Sequence, residues 1–471
     1  MSRVSAETLP TCEVAMRRPL VAAVTAVALV PIWTPAASAE GGFRLPQRFF
    51  IAHRASGSFL APENTAAAFE SGIHDPDADL LEFDVQVLKD GVGGVWHDLS
   101  VDRITPSHGR VDARTSKQFK KLRIDAHTWF GGTARDTHPL FLDEVLAKYA
   151  KRKQLLAHPK DSRAARLVIK HVVARHLTGH VQMQTNTLSD AVAARRAGMT
   201  AQFLIGTERE AISPRTVRRA GIQRVSINSQ LPDSLIAKYV REGLIVACFN
   251  VESQTRRDDL YRLGVRGIDT DDPVYLHGTR YRRSTDPFTT GTYAPGHMGQ
   301  TQTAAAMTQY QRGRFTAPNW WTIPYGRADL YTRQGWAYLG RSYTLRATVR
   351  FDRLSSRRAD AAAVHFAAPT DDPFTAHTRG YDLVLRQDGH LDLYKDHRLL
   401  TTVRTPPITR SATAASLTIT VAPWTVTVQR AGTRGATISD TSYRGHYLYL
   451  GRINRPGHDG PQLSFRDIAV E

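Results

Sequence analysis

The sequence predicts an α/β fold followed by an all-β one: a TIM-type (β/α)8 barrel over residues 45–277 and a β-sandwich, jelly-roll and lectin-like in texture, over 313–471. Three observations predict it. Residues 45–277 alternate eight short apolar runs with helix-like stretches. From about residue 313 the chain changes to short runs of alternating hydrophobicity, separated by Gly, Asp, Pro and Asn. Between the two, residues 278–312 hold Arg, Thr, Gly and Gln with little apolar periodicity and read as a linker.

The chain opens on an export signal, predicted over residues 1–39. Arg17 and Arg18 form a short positive region, Leu20 to Val30 is almost wholly apolar, and Ala37-Ser38-Ala39 offers small residues for cleavage. Met16 stands directly before the arginines and is an alternative start, which would make residues 1–15 an upstream extension. The expected location is therefore secreted, extracellular or wall-associated. The apolar run is too short to span a membrane, and no later stretch reaches 18 apolar residues, so no transmembrane segment is expected. Cys12 would leave with the signal; Cys248, in the apolar run Leu244 to Phe249, is then alone and reads as a buried thiol.

Hydrophobic residues make up 41% and charged residues 23% of the chain, a balance that excludes global disorder. The formal net charge of +18 is spread along the chain as Arg, without the dense Lys/Arg block of a nucleic-acid arm. It is compatible with anionic substrates, wall polymers or lipid head groups.

The candidate barrel strands are Phe49–Ala52, Leu80–Val85, Leu155–Ala157, Val181–Gln184, Thr200–Leu204, Arg224–Ile227, Ile245–Phe249 and Gly267–Asp269. Helical patterns lie between them at about 64–72, 116–122, 142–152, 163–176, 188–197, 214–220, 232–241 and 255–262. By strand count alone a doubly wound open sheet competes with the barrel. In the second region the predicted strands are Tyr343–Phe351, Tyr381–Arg386, Leu391–Tyr394, Ser416–Val421, Thr425–Arg430, Tyr447–Arg452 and Leu463–Val470. Gln387-Asp388-Gly389-His390 is a hairpin turn, because Gly supplies the positive φ a tight turn needs.

Chemistry is densest in residues 51–105. Glu82 and Asp84 are two apart on a predicted strand, so both point to one side. Two carboxylates aimed into a barrel mouth repel unless a cation sits between them, and a hard divalent ion is the natural occupant. His53 closes the first strand and His97 follows Gly94-Val95-Trp96. Taken alone a histidine is more often structural, but two at strand ends beside a carboxylate pair can supply a general base and a general acid. Arg54 and Lys160, also near strand ends, are suited to phosphate oxygens.

In order, Ile51-Ala52-His53-Arg54, Pro62-Glu63-Asn64-Thr65, Glu82-Phe83-Asp84, His97-Asp98 and Arg103-Ile104-Thr105 resemble the motifs of the glycerophosphodiester phosphodiesterase family. The likeness continues through Leu122–Ala126 and Pro139–Leu146 and closes at Gly264–Pro273, covering about residues 49–277. The resemblance implies a TIM barrel with its site at the strand C-termini, hydrolysis of glycerophosphodiesters to glycerol phosphate and an alcohol, and a divalent metal, Mg²⁺ or Ca²⁺. It implies His53 and His97 as the acid/base pair, Glu82 and Asp84 as metal ligands, Arg54 on the phosphate, and Glu63 with Asn64 in support. Lys160 matches the lysine of the family's Glu-x-Lys at the third strand, but His158 stands where the acid should be. Three readings follow: His158 ligates directly, which favours Mn²⁺ or Zn²⁺; two carboxylates and waters hold Mg²⁺; or the site is weakened. Thr185-Asn186 also departs, standing where the family tends to have Ser-Phe, a difference that bears on the substrate pocket.

The second domain resembles concanavalin-like glycan-binding modules in texture alone. Trp320, Trp321 and Trp336 are its candidate sugar-stacking residues, with a cell-wall glycan as the expected partner. Two further functions compete: a lipid-directed phospholipase D or sphingomyelinase D-like enzyme, and a catalytically weakened glycan- or phosphate-binding protein.

Overall fold

The computed structural model of this protein describes residues 45–55, 61–132, 134–278, 282–292, 313–316, 319–326, 330–371, 379–454 and 458–471. The expected signal, Met16, Cys12 and the greater part of the expected linker lie outside these residues.

Eight parallel strands close into a barrel: β1 (Phe49–Ala52), β2 (Leu80–Val87), β4 (Gln154–Pro159), β5 (Val181–Thr185), β6 (Ala201–Ile205), β7 (Arg224–Asn228), β8 (Ile245–Phe249) and β9 (Gly267–Thr270). Closure is explicit, since β1 pairs with β2 on one side and β9 on the other. This decides against the open sheet. A short β3 (Gly93–Val95) pairs antiparallel with β2 through Val85↔Val95. Helices cover the outside. Ser162–Ala174, for example, is capped by the Asp161 carboxylate accepting the Ala164 N–H at 2.7 Å and buries Ala164, Ala165, Val168 and Val172.

The two-residue period of the strands builds the site. On β2, Leu81, Phe83 and Val85 join the core beneath the helices, so Leu80, Glu82, Asp84 and Gln86 face the barrel interior. Leu80 packs with Phe49, Ile51, Leu156 and Ala247 into an apolar floor. Glu82 and Asp84, and His158 two residues beyond Leu156, rise above that floor toward the strand C-termini. Gly267 is a glycine because a Cβ there would lie 2.5 Å from the Phe49 ring that fills the floor.

The second domain is a pair of antiparallel sheets. One orders its strands 314–316, 320–323, 462–470, 343–353, 414–421, 425–430 and 436–439; the other 330–333, 447–453, 361–368, 381–386, 390–395 and 398–404. Between them lies a second core that includes Trp321, Trp336, Phe351, Leu383 and Leu450. The turn at residue 389 forms as expected, with Gly389 at φ 90° and its N–H donating to the Arg386 carbonyl at 3.0 Å.

Two expectations change. Trp320, Trp321 and Trp336 are buried at 4%, 0% and 0% exposure, so they cannot stack on sugars. Trp320 lies under the Arg350 and Arg466 guanidiniums, and Trp336 donates its Nε1–H to Gln334 at 3.1 Å. The start of the expected linker also carries structure: Arg283 and Thr285 bridge to Ala337 and Ala469, and Phe288 is fully buried in the sandwich core. Cys248 is buried and free, and burial pushes its thiol pKa up.

Candidate active site

The expected acid/base pair, metal ligands and phosphate-binding cations gather at the mouth of the barrel. His53 and Arg54 follow β1, Glu82 and Asp84 are on β2, His97 follows β3, and His158 and Lys160 end β4. Arg54 (φ 51°), Ala55 (φ 70°) and Asn64 (φ 59°) all adopt the left-handed conformation, which costs a non-glycine residue energy and must be held by its surroundings. Arg54 and Asn64 are held: the Arg54 N–H donates to Glu82 Oε2 at 2.8 Å, and the Asn64 N–H to the Arg54 carbonyl at 3.1 Å. The Asn64 side-chain amide grips β2 in both directions, donating to Asp84 Oδ2 at 2.9 Å and accepting from the Asp84 N–H at 3.2 Å.

Glu82, Asp84 and His158 converge, with one ligand atom of each lying within 4.8 Å of the others. His158 Nδ1 is 3.3 Å from Asp84 Oδ1 and 3.7 Å from Glu82 Oε1. Lys160 Nζ stands 2.6 Å from Asp84 Oδ1. The two carboxylates are shifted in opposite directions. Burial, then the negative charges of Asp84 and Asp269, push Glu82 well above the usual carboxylate range. Burial would raise Asp84 too, but Lys160, His97 and His158 pull it well below that range. Burial and the Lys160 charge press the His158 imidazole down to about 4, leaving it neutral at ordinary pH.

Asp84 lies within electrostatic reach of both remaining histidines. His53 Nδ1 is 2.7 Å from Asp271 Oδ1, and the Asn250 amide nitrogen lies 2.8 Å from the same ring nitrogen. Burial, then Arg54, lower the His53 pKa against the pull of Asp271. His97 Nδ1 is 2.7 Å from Asp98 Oδ1, and Asp98 Oδ2 accepts from Arg103 Nε at 2.6 Å. At His97 a carboxylate on Nδ1 favours the tautomer that leaves Nε2 to take or give a proton, whereas at His53 the Asn250 amide nitrogen also lies 3.3 Å from Nε2. Arg103 also forks onto Glu63 at 2.9 and 2.5 Å, and Arg54 donates to Glu63 at 2.8 Å. Burial would raise Glu63, but these two guanidiniums hold it far below the usual range. Both expected phosphate-binding cations thus rest on carboxylates here, Arg54 on Glu63 and Lys160 on Asp84.

Sequence reasoning missed the partners. Asp98 and Arg103 stood inside recognised motifs, as did Asp269 and Asp271, but none had been given a role. Asn250 and Glu252 carried no signal beyond following β8. Glu252 is buried, accepts the Asp271 N–H at 2.9 Å and the Thr270 hydroxyl at 3.1 Å, and is raised by burial and by Asp271.

The sequence model of the glycerophosphoryl diester phosphodiesterase family matches residues 53–275. A glycerophosphodiester phosphodiesterase of Bacillus altitudinis is 28% identical over 225 residues, 45% of this chain and 90% of that protein. One from Bacillus subtilis is 25% identical over 280 residues, 51% of this chain and 89% of that protein. The crystal structure of a glycerophosphodiester phosphodiesterase from Agrobacterium tumefaciens aligns at 21% identity and a TM-score of 0.39, over 48% of this chain and 97% of that one. Residues 53–275, the barrel that carries the paired histidines and the Glu-x-Asp strand, are thus matched to the glycerophosphoryl diester phosphodiesterase family.

Proposed function

We propose that the protein is an exported, metal-dependent phosphodiesterase that hydrolyses glycerophosphodiesters to glycerol phosphate and an alcohol by His/His acid–base catalysis. The observation that carries this reading is the meeting of two carboxylate-backed histidines, His53 and His97, around Glu82, Asp84 and His158 at the barrel's C-terminal end. The family match supports the reaction class, and the apolar run at Leu20–Val30 supports export.

The donor set suits a divalent ion: two buried carboxylates and a neutral imidazole converge, with Lys160 paired to Asp84. Glu82, Asp84 and His158 would hold it, and the imidazole favours Mn²⁺ or Zn²⁺ over an all-oxygen site for Mg²⁺ or Ca²⁺. When bound, such an ion supplies charge stabilisation and orientation for the phosphoryl oxygens. The chain's own residues do the rest. Arg54 and Lys160 offset the charge of the diester. His53, held neutral by burial, takes the proton of the nucleophile, water or a neighbouring substrate hydroxyl. Attack by the hydroxyl gives a cyclic phosphate that is then hydrolysed. His97, backed by Asp98, protonates the departing alkoxide. Each such proton transfer is worth about 10²–10⁴-fold in rate.

A lipid-directed phospholipase D-like activity is the second reading. It is favoured by Leu99, an apolar side chain 62% exposed and two residues along the chain from His97. The test of both is metal depletion and add-back on a panel of glycerophosphodiesters and lysophospholipids, with His158→Glu alongside. Loss of turnover on chelation and recovery by Mn²⁺ or Zn²⁺ is expected, and His158→Glu should move the preference toward Mg²⁺ or Ca²⁺ by about tenfold or more. No turnover with any metal in either protein would leave the weakened binding protein as the surviving reading.

A further inference from the structure

β8 ends at Phe249, and residues 250–253 lead directly into the helix Gln254–Arg262. This loop stands behind His53. Asn250 touches the imidazole, and Glu252 takes the N–H of Asp271, whose carboxylate holds His53 Nδ1. The path of four loop residues therefore bears on the aim of one histidine.

That path is anchored at both ends. Near its start the Val251 N–H donates to the Asp269 carbonyl at 2.9 Å. At its end the first turn of the helix has N–H groups without intrahelical acceptors. The Ser253 hydroxyl takes that of Arg256 at 3.0 Å. Gln254 and Thr255 find their acceptor in the other domain. Asp371 of the sandwich, fully buried, takes the Gln254 N–H on Oδ2 at 2.5 Å and the Thr255 N–H and hydroxyl on Oδ1 at 2.9 and 2.7 Å. The Tyr275 hydroxyl, also from the barrel, donates to Oδ2 at 2.7 Å. Arg333 of the sandwich donates to the Asp371 main-chain carbonyl at 2.9 Å and lies over the Tyr275 ring at 3.9 Å. A buried carboxylate on a helix N-terminus, with a guanidinium behind it, is electrostatically favoured.

We infer that Asp371 is a positioning residue for the proposed reaction: through helix Gln254–Arg262 the sandwich holds loop 250–253, and with it the His53–Asp271 pair, in working geometry. The second domain is then part of the catalytic unit. The inference rests on the hydrolase reading above for its kinetic consequence, but its structural link can be read separately.

The experiment uses the full chain with Asp371→Ala, Asp371→Asn and Thr255→Val. It measures kcat and KM on the best diester of the panel, thermal melting, and amide hydrogen exchange at Val251 and Asp271, neither of which touches Asp371. Asp371→Ala should lower kcat by about 10–100-fold, the scale of a small misplacement at a distance, with KM changed by less than about twofold. Exchange at Val251 and Asp271 should quicken. Asp371→Asn should recover part of the loss, because its remaining oxygen still accepts from Thr255. A folded Asp371→Ala with wild-type kcat and exchange, or with a change in KM alone, overturns the inference. If Asp371→Ala does not fold, unchanged kcat and exchange in both milder variants overturn it. Should the wild type cleave no diester, the hydrolase reading fails by itself, and exchange at Val251 and Asp271 decides: unaltered rates sink the link, quickened rates support it.

Discussion

The barrel mouth and the sandwich both bury charge, but they balance it differently. In the sandwich, acids meet local partners: Arg386 donates to Asp392 at 2.6 Å, Lys395 to Asp440 at 2.6 Å, and His365 lies 3.0 Å from Asp382. Among the described residues Asp360 is an exception, buried with neither carboxylate oxygen hydrogen-bonded. At the mouth, Glu82, Asp84, Glu252, Asp269 and Asp271 crowd together, and burial with mutual repulsion raises Glu82, Glu252 and Asp269. Paired burial holds a fold together. Unbalanced burial is a cost that a fold alone does not require, and it marks the place where something positive is to be bound.

The sharpest way to break this contrast is to remove charge from each side. Glu82→Ala should abolish turnover, a loss of about 10³-fold or more for a group holding the charge-stabilising ion. His53→Ala and His97→Ala should each cost about 10²–10⁴-fold. All three should remain folded, with Glu82→Ala losing the acceptor of the Arg54 N–H. Near wild-type kcat in Glu82→Ala would remove the metal assignment.

A smaller effect separates the two histidines. Burial and Arg54 hold His53 below its ordinary 6.5, so as a base it stays neutral and active until the pH falls below that value. The acid limb of kcat/KM should therefore lie below pH 6.5. Arg54→Gln removes a neighbouring positive charge, raises the His53 pKa and should move the limb upward. A wild-type limb above 6.5 would count against His53 as base.

The sandwich side should behave in the opposite sense. Asp392→Ala strips Arg386 Nε and the Thr402 hydroxyl of their acceptor and should cost about 1–3 kcal/mol of stability in denaturant unfolding. Its kcat should not change. A kinetic defect there would blur the distinction between balanced and unbalanced charge.

Much of this was legible in the sequence. Strands β1 and β8 start and end where the apolar runs do, and the other six barrel strands lie within a residue or two of their expected limits. The strand Ala361–Ala368 was missed. It is buried along its whole length, so it shows no alternation, and its alanines favour helix by intrinsic propensity. The antiparallel β3 was too short to register as a strand.

By itself the sequence determined the class of each domain, the inward face of β2 and the identity of the ionisable groups, because period and residue type are local properties. Only the tertiary structure decided that the sheet closes, that Trp321 and Trp336 are core, and which acid backs which histidine. Asp271 reaches His53 across 218 positions of chain, and Asp371 reaches Thr255 across 116. Pairings of that range are set by how strands close and domains pack, and no local pattern of residues encodes them.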